Sequence, residues 1–313
     1  VIDFCFQRPL DCFKTKQNSN MKIKLLVLCF LAGIQWSFAD TYPLVHSYRS
    51  NASGIYSNVY LVELQNGIVV IDASLTVSSG KEIRSLINDI AKPVYAILIT
   101  HGHPDHYNGL TEITRDLNVP IYSTQGVLDV IIKYDAEKEK QWKGMFGDEW
   151  PSKRTFPNKV VKDNETLTFE NVTFTVHDLG KGESHSDSYW IMQRRPIKQA
   201  FIGDLVLHKV HAYLSDGHAE EWLSHLKTLK GELKDVSVFY PGHGLPGGPE
   251  LFDWQQQYIS TYINNLKPLW ADKNITQEEK TILTEKMKTF LPNDKLSFLI
   301  GLGADAVAQS VIK

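Results

Sequence analysis

The segment His101-Gly-His103-Pro-Asp105-His106 follows directly on an apolar run, Val94-Tyr-Ala-Ile-Leu-Ile-Thr100. It sets four metal-capable side chains within six residues at the mouth of an expected buried strand. Imidazole and carboxylate groups are costly to bury without partners, so packing is a poor account of them. Nitrogen and oxygen donors at this density suit a hard-to-borderline divalent cation such as zinc. They point to a metal used for chemistry, since a purely structural zinc site usually closes on four protein ligands. The remaining ligands must then come from elsewhere in the chain.

With 313 residues the chain can build a substantial core, in one large domain or two smaller ones. Met21-Lys-Ile-Lys24 reads as a basic n-region, Leu25 to Ile34 as an apolar h-region, and Ser37-Phe-Ala39 as a cleavage site. Residues 21–39 are therefore expected to be a signal peptide cut after Ala39, and residues 1–20 a mis-assigned upstream segment. The apolar run is shorter than the ~20 residues of a membrane-spanning helix. No stable membrane anchor is expected after cleavage, and the mature protein is expected to be periplasmic or secreted.

Cys5, Cys12 and Cys29 all precede that cut, which leaves a mature chain with no thiol to serve as ligand, nucleophile or disulfide partner. The net charge of −3 becomes more negative without the basic leader, and no basic run of consequence remains. A nucleic-acid partner is not expected. A small-molecule substrate is, and the oligomeric state stays open.

Asn58 to Leu64 and Gly67 to Ile71 read as two strands joined by a turn at Gln65-Asn-Gly67. Ser79 to Ile90 reads as a helix with Ile83, Leu86, Ile87 and Ile90 on one face. Asn108 to Leu117 reads as a helix and Pro120 to Ser123 as a strand. Residues 124–157 combine a charged helix with Trp142, Phe146, Trp150 and Phe156, and fit either a lid or a surface helix. A second β-rich half follows: a hairpin over Leu167–Val176, strands at Ser188–Gln193, Gln199–Ile202 and Val236–Tyr240, and a helix at Ala219–Leu229. The tail from Glu250 reads as helical, with breaks near Pro268 and Pro292. Strands interleaved with helices in two successive halves predict a layered α/β domain, sheets inside and helices outside, over residues 40–250. Residues 251–313 are expected to be a helical C-terminal extension packed on it.

Three further residues share the setting of the first cluster, at strand ends or in glycine-containing loops. His185 lies in Gly182-Glu-Ser-His-Ser-Asp-Ser, Asp204 ends Phe201-Ile-Gly-Asp, and His243 sits in Tyr240-Pro-Gly-His-Gly. Together these residues resemble the metallo-β-lactamase superfamily over roughly Tyr56 to Gly244, in the family's order: H-x-H-x-D-H, then His, Asp and His. The resemblance implies a four-layer αββα sandwich with its metal site at one edge of the two sheets. It implies two divalent cations, zinc first, with manganese or iron as alternatives. His101, His103 and His185 would hold one cation and Asp105, His106 and His243 the other, with Asp204 bridging.

Asp72, ending its strand near the site, is expected to orient a ligand. Tyr56, His211 and His218 are further candidates for the pocket, while His46, His177 and His225 read as surface or structural residues. Two departures matter. With no cysteine, the chain differs from lactamases that place one at the second metal; having both His106 and Asp204, it looks more like the lactonase and glyoxalase II-like branches. Ser184 stands where glycine is common before the later histidine.

Two cations about 3.5–4 Å apart can share a water and lower its pKa from about 15.7 towards 7. The expected function is that of an exported dinuclear hydrolase whose bridging hydroxide attacks the carbonyl of a small ester, lactone, thioester or lactam. Asp105 would orient the hydroxide and pass a proton to the leaving group. The alternatives are a mononuclear-iron oxidoreductase of the same fold, resembling persulfide dioxygenases, a β-lactamase proper, and a non-catalytic metal-binding protein.

Overall fold

The computed structural model describes residues 43–312. The expected leader, its cleavage point and the upstream segment lie outside the described residues.

The apolar runs form two sheets. In the first, β1 (Leu44–Arg49), β2 (Asn58–Glu63), β3 (Ile68–Ile71), β4 (Val94–Leu98), β5 (Ile121–Thr124) and β6 (Lys159–Val161) lie side by side in chain order. β1 to β3 pair antiparallel and β3 to β6 parallel. The second sheet has β7 (Thr166–Phe169), β8 (Val172–Gly180), β9 (Asp187–Arg194), β10 (Ile197–Gly203) and β11 (Val238–Pro241), again in chain order from one edge to the other. Its only parallel pair is β10 with β11, and a helix lies between them in the chain, as a parallel connection requires.

Period-two alternation sets the layers. From the first sheet Tyr60, Val62, Val69, Ile71 and Leu98 face the second, where they meet Phe174, Val176, Trp190, Met192 and Phe201. The intervening residues Val59, Leu61, Val70, Ile97 and Ile99 face α1 (Val77–Ile90), α2 (Pro104–Tyr107), α3 (Leu110–Ile113) and α4 (Gln125–Phe146). Burial on both faces is why these strands read as nearly continuous apolar runs. On the far side, Ala200, Ile202 and Phe239 pack under α5 (Ala219–Glu232) and α6 (Glu250–Leu266). The fold is an αββα sandwich with a helical C-terminal region.

Three local details depart from the sequence reading. The helix expected over 108–117 begins earlier, inside the histidine motif, and is split into α2 and α3. Pro104 sits in the first turn of α2, where its fixed φ fits and its missing N–H costs nothing. Two edge strands, β1 and β6, carried too little alternation to be anticipated; most of β1 faces solvent. Along α1, Ile83 and Ile87 are buried whereas Leu86 is exposed, so its apolar stripe is narrower than the spacing suggested.

The tail folds into α6, α7 (Gln277–Phe290), α8 (Phe298–Leu302) and α9 (Ala304–Val311). A capping box closes the start of α7, with Thr276 and Glu279 each satisfying the other's backbone N–H. Tyr258, Tyr262, Leu283, Met287, Ile300 and Val307 belong to the same apolar cluster as Trp222, Leu226 and the outer face of the second sheet. Among the described residues no helix is long and apolar enough to cross a membrane.

Because Leu283 is fully buried in that shared cluster, Leu283→Ala is expected to cost about 2–5 kcal/mol. In a domain of this size that lowers the midpoint by roughly 2–4 °C for each kcal/mol. Calorimetry should show one transition, shifted as a whole. A separate early transition for the tail would contradict a common core.

Candidate metal centre

Strand ends from both sheets converge on one cluster. Asp72 follows β3 and adopts the left-handed region (φ +62°), which aspartate tolerates better than most residues. There its carboxylate accepts hydrogen bonds from Thr100 N (2.9 Å), Thr100 Oγ1 (2.9 Å) and His106 Nδ1 (2.8 Å). With its hydrogen spent on Asp72, Thr100 Oγ1 accepts from His101 Nδ1 at 3.0 Å. In the neutral rings these bonds leave Nε2 as the lone-pair nitrogen, turned towards the cluster. Thr100 O in turn accepts from Ser188 N and Oγ of β9, which joins the two sheets at this edge.

His243 arrives in the loop after β11. Tyr60 Oη and Asn58 Nδ2 donate to Pro241 O, at 2.6 and 2.8 Å, and Asn58 and Arg49 bind Gly244 O. Gly242 lies so close to the centre that a Cβ there would fall 1.9 Å from Asp204 Oδ1. Only glycine lets this loop approach.

Three overlapping groups of ligand atoms result: His101, His103 and Glu183; His101, His106 and Asp204; and Asp105, His106 and His243. His243 Nε2 lies 3.0 Å from Asp105 Oδ2 and 3.3 Å from Asp204 Oδ2. His106 Nε2 lies 3.3 Å from Asp105 Oδ2 and 3.4 Å from Asp204 Oδ1.

His185 is not part of these groups. Its Nδ1 lies 2.8 Å from His218 Nε2, and its ring stacks on Tyr134. The corner expected of it is filled by Glu183, whose Oε2 lies 3.0 Å from His103 Nδ1 and 3.6 Å from His101 Nε2. The cause is a local turn. Asp187 accepts from Ser184 N and Oγ, curling the loop so that Glu183 points inward and His185, two residues on, points towards Tyr134. The departure at Ser184 is thus the residue that shapes the turn. A fully buried glutamate was the missed residue, and its only sequence signal was an acid in a Gly-Glu-Ser loop before a strand.

Asp216 was missed too: its Oδ2 lies 3.2 Å from His103 Nε2, as a partner orienting that ring. His218 contacts His185 rather than the cluster. His211 is satisfied at both nitrogens by Tyr258 Oη and Asn293 O, tying the tail to the cleft wall. Tyr56 packs beside the large apolar cluster under Lys295.

Charges within the cluster are mutually stabilised. Burial alone would lower the His103 and His106 pKa values, yet the facing carboxylates, Glu183 for one and Asp105 for the other, hold both well above the usual value. Burial would also lower His243, but Asp204 and Asp105 push it up to about 10. Asp204 falls to about 2 in spite of its burial, because His243 and His106 face it. Burial pushes Glu183 up to about 8 against the pull of His103. His101 is driven well below its usual value, first by burial and then by His106.

The residues fit divalent cations. Buried His101 Nε2, His106 Nε2, Asp204 Oδ1 and both Glu183 oxygens make no hydrogen bond within the protein. Such groups are costly to leave unpaired, and a cation would satisfy them together. The donors are all nitrogen or oxygen, the set that suits zinc, manganese or iron.

The cluster opens onto a cleft of about 620 Å³, part of it open to solvent. His103, Asp105, Glu183, Asp204 and His243 form its floor. Lys138, Trp142 and Phe146 of α4 form one wall, and Leu296, Phe298 and Leu299 line it as well. The 124–157 segment therefore supplies cleft wall.

Residues 52–243 match the family model described as the metallo-beta-lactamase superfamily. A metallo-beta-lactamase type 2 of Bacillus sp. (strain 170) is 20% identical over 199 residues, covering 63% of this chain and 70% of that protein. A linear primary-alkylsulfatase of Pseudomonas sp. (strain ATCC 19151) is 30% identical over 265 residues, covering 73% of this chain; the chain spans about half of that relative, 49%. A solved beta-lactamase domain protein from Burkholderia ambifaria superposes with a TM-score of 0.63 at 16% identity, covering 88% of this chain and 91% of that one. With the fold, the ligand cluster and a family match spanning most of the sandwich, this chain belongs to the metallo-beta-lactamase superfamily and is a metallo-hydrolase of that superfamily.

Proposed function

We propose that the chain is an exported hydrolase holding two divalent cations, zinc first, that cleaves a small ester, lactone, thioester or lactam bearing an apolar arm. The observation that carries this reading is the ligand cluster opening directly onto a cleft walled by Trp142, Phe146, Leu296, Phe298 and Leu299. His101, His103 and Glu183 would hold the first cation, with Glu183 in place of His185. Asp105, His106 and His243 would hold the second, and Asp204 faces both sets.

When bound, the cations supply Lewis acidity and a water acidic enough to ionise near neutral pH. Asp105 would orient the attacking water, take up its proton and hand that proton to the leaving group. Asp72 and Asp216 hold the rings of His106 and His103 in place. The apolar walls exclude bulk water and seat the substrate's arm. The signal-like segment at 21–39 supports action in the periplasm or outside the cell, on a small molecule rather than a nucleic acid.

A second reading is hydrolysis of a sulfate ester, favoured by the similarity to an alkylsulfatase and by a cleft apolar enough for an alkyl chain. An iron oxidoreductase needs only one metal set and leaves Asp105, His106 and His243 without a role. The lactamases that use a cysteine at the second metal require a residue absent from 43–312.

Metal analysis of the loaded protein should give two cations per chain. Glu183→Gln is expected to lower that content towards one, whereas His185→Ala keeps both. The opposite pattern would return His185 to the first site.

His243 carries a raised pKa, so without metal it stabilises the fold fully below its unfolded value of 6.5, and that contribution is lost as pH rises through about 10. Chelated protein should therefore lose thermal stability between pH 7 and 10. Loaded protein, whose imidazoles are already deprotonated, should change less. Equal slopes with and without chelator would count against metal occupancy at His243.

The reaction itself is tested with a panel of nitrocefin, an acyl-homoserine lactone, a glutathione thioester, a phosphodiester and an alkyl sulfate. Turnover of a carbonyl substrate, removed by chelation and restored by metal, is the expected result. A dominant alkyl sulfate signal would favour the second reading, and a dominant phosphodiester signal would overturn both.

A further inference from the structure

Helix α4 buries Val127, Ile131 and Lys138 along one stripe, and Lys138 is the charged residue among them, only 8% exposed. Burying an ammonium in an apolar stripe is unfavourable unless its partners compensate. Lys138 Nζ donates to Tyr213 Oη at 3.0 Å, lies 3.6 Å from Asp216 Oδ1, and stands 4.8 Å from the Tyr213 ring centre. Since that phenol oxygen accepts from the ammonium, its own hydrogen must point elsewhere. Among the described residues it has no protein acceptor.

Tyr213 is also well placed. Its ring meets His103 edge-on, with centroids 5.0 Å apart, and both Lys138 and Tyr213 line the cleft that the ligand cluster opens onto. Asp216 links the two features: one oxygen faces His103 and the other faces Lys138. A phenol whose oxygen is held by an ammonium is a stronger donor than a free one, because the charge polarises its O–H bond. Donors of this kind, fixed before substrate arrives, are effective where negative charge develops.

We propose that Tyr213 donates a hydrogen bond to the substrate oxygen on which negative charge develops, and that Lys138 is the positioning residue that holds and polarises it. The proposal rests on the metal-dependent ester reading above. It adds a protein donor beside the metals and assigns Lys138, otherwise a buried counter-ion of Asp216, a part in the reaction.

The test is calorimetric titration of the metal-loaded full chain with hexylphosphonate, whose tetrahedral oxyanion and apolar arm mimic the reacting group and the arm. Tyr213→Phe removes one oxygen and is expected to weaken binding about tenfold or more, with metal content and melting temperature unchanged. Lys138→Met should weaken it similarly, and the double variant Lys138→Met/Tyr213→Phe should lose little more than Tyr213→Phe alone, whereas a counter-ion role alone would make the two losses add. If Lys138→Met fails to fold, Tyr213→Phe carries the test. Unchanged affinity in Tyr213→Phe overturns the donor role and leaves the hydrolase reading intact. No binding to the wild type overturns the substrate reading, and the donor role with it.

Discussion

The carboxylate of Asp72 is the point on which the edge of this sandwich depends. It sits just past β3, is almost completely buried, and accepts from the backbone and side chain of Thr100 and from His106 Nδ1. A buried carboxylate without donors would oppose folding. Here three donors from one short segment satisfy it and, in the same act, set the orientation of His106 and, through Thr100, of His101. The left-handed backbone at Asp72 is the strain this arrangement accepts. Ring tautomers that a chemical site needs are therefore fixed by the same bonds that join the end of β3 to the segment after β4.

The two sheets matter for a related reason. Seven ligand-bearing residues come from four places in the sequence, and three of those places are anchored by bonds outside the cluster. Ser188 ties β9 to Thr100, Asn58 and Tyr60 hold the loop of His243, and Asp187 shapes the loop of Glu183. Mutual attraction of imidazoles and carboxylates could not do this alone, because burying them carries a large desolvation cost. The interior between the sheets, with Trp190, Phe201 and Tyr60, supplies the rigidity against which those loops are aimed.

Most of this was legible in the sequence where position and chemistry coincided. His101, His103, Asp105 and His106 follow an unmistakable buried strand, and Asp204 and His243 each end another, so burial of polar residues at strand ends was itself the signal. The layered fold followed from apolar runs too long for single-faced strands. What was hidden turns on which way a side chain points inside a loop. Glu183 and His185 are two residues apart, and only the Ser184–Asp187 turn decides which of them faces His103. Asp216, in Ser-Asp-Gly, reads as an ordinary turn. Lys138, in a charged helix, reads as solvated surface until the stripe containing Val127 and Ile131 is seen to bury it.

The exchange at that loop has a consequence beyond geometry. A carboxylate at the first corner in place of an imidazole adds a negative charge and a harder donor to the set. Together with Asp105 and Asp204, Glu183 makes three carboxylates among the clustered side chains. Oxygen donors favour harder cations, and greater ligand charge lowers the effective charge a cation presents to its water and to a substrate oxygen. A weaker Lewis acid leaves more of the developing charge to be met by protein groups. On the two-cation reading, the same turn that directs Glu183 inward adds a harder donor to the centre and raises the value of any neighbouring hydrogen-bond donor. Tyr213, edge-on to His103 and backed by Lys138, lines the same cleft.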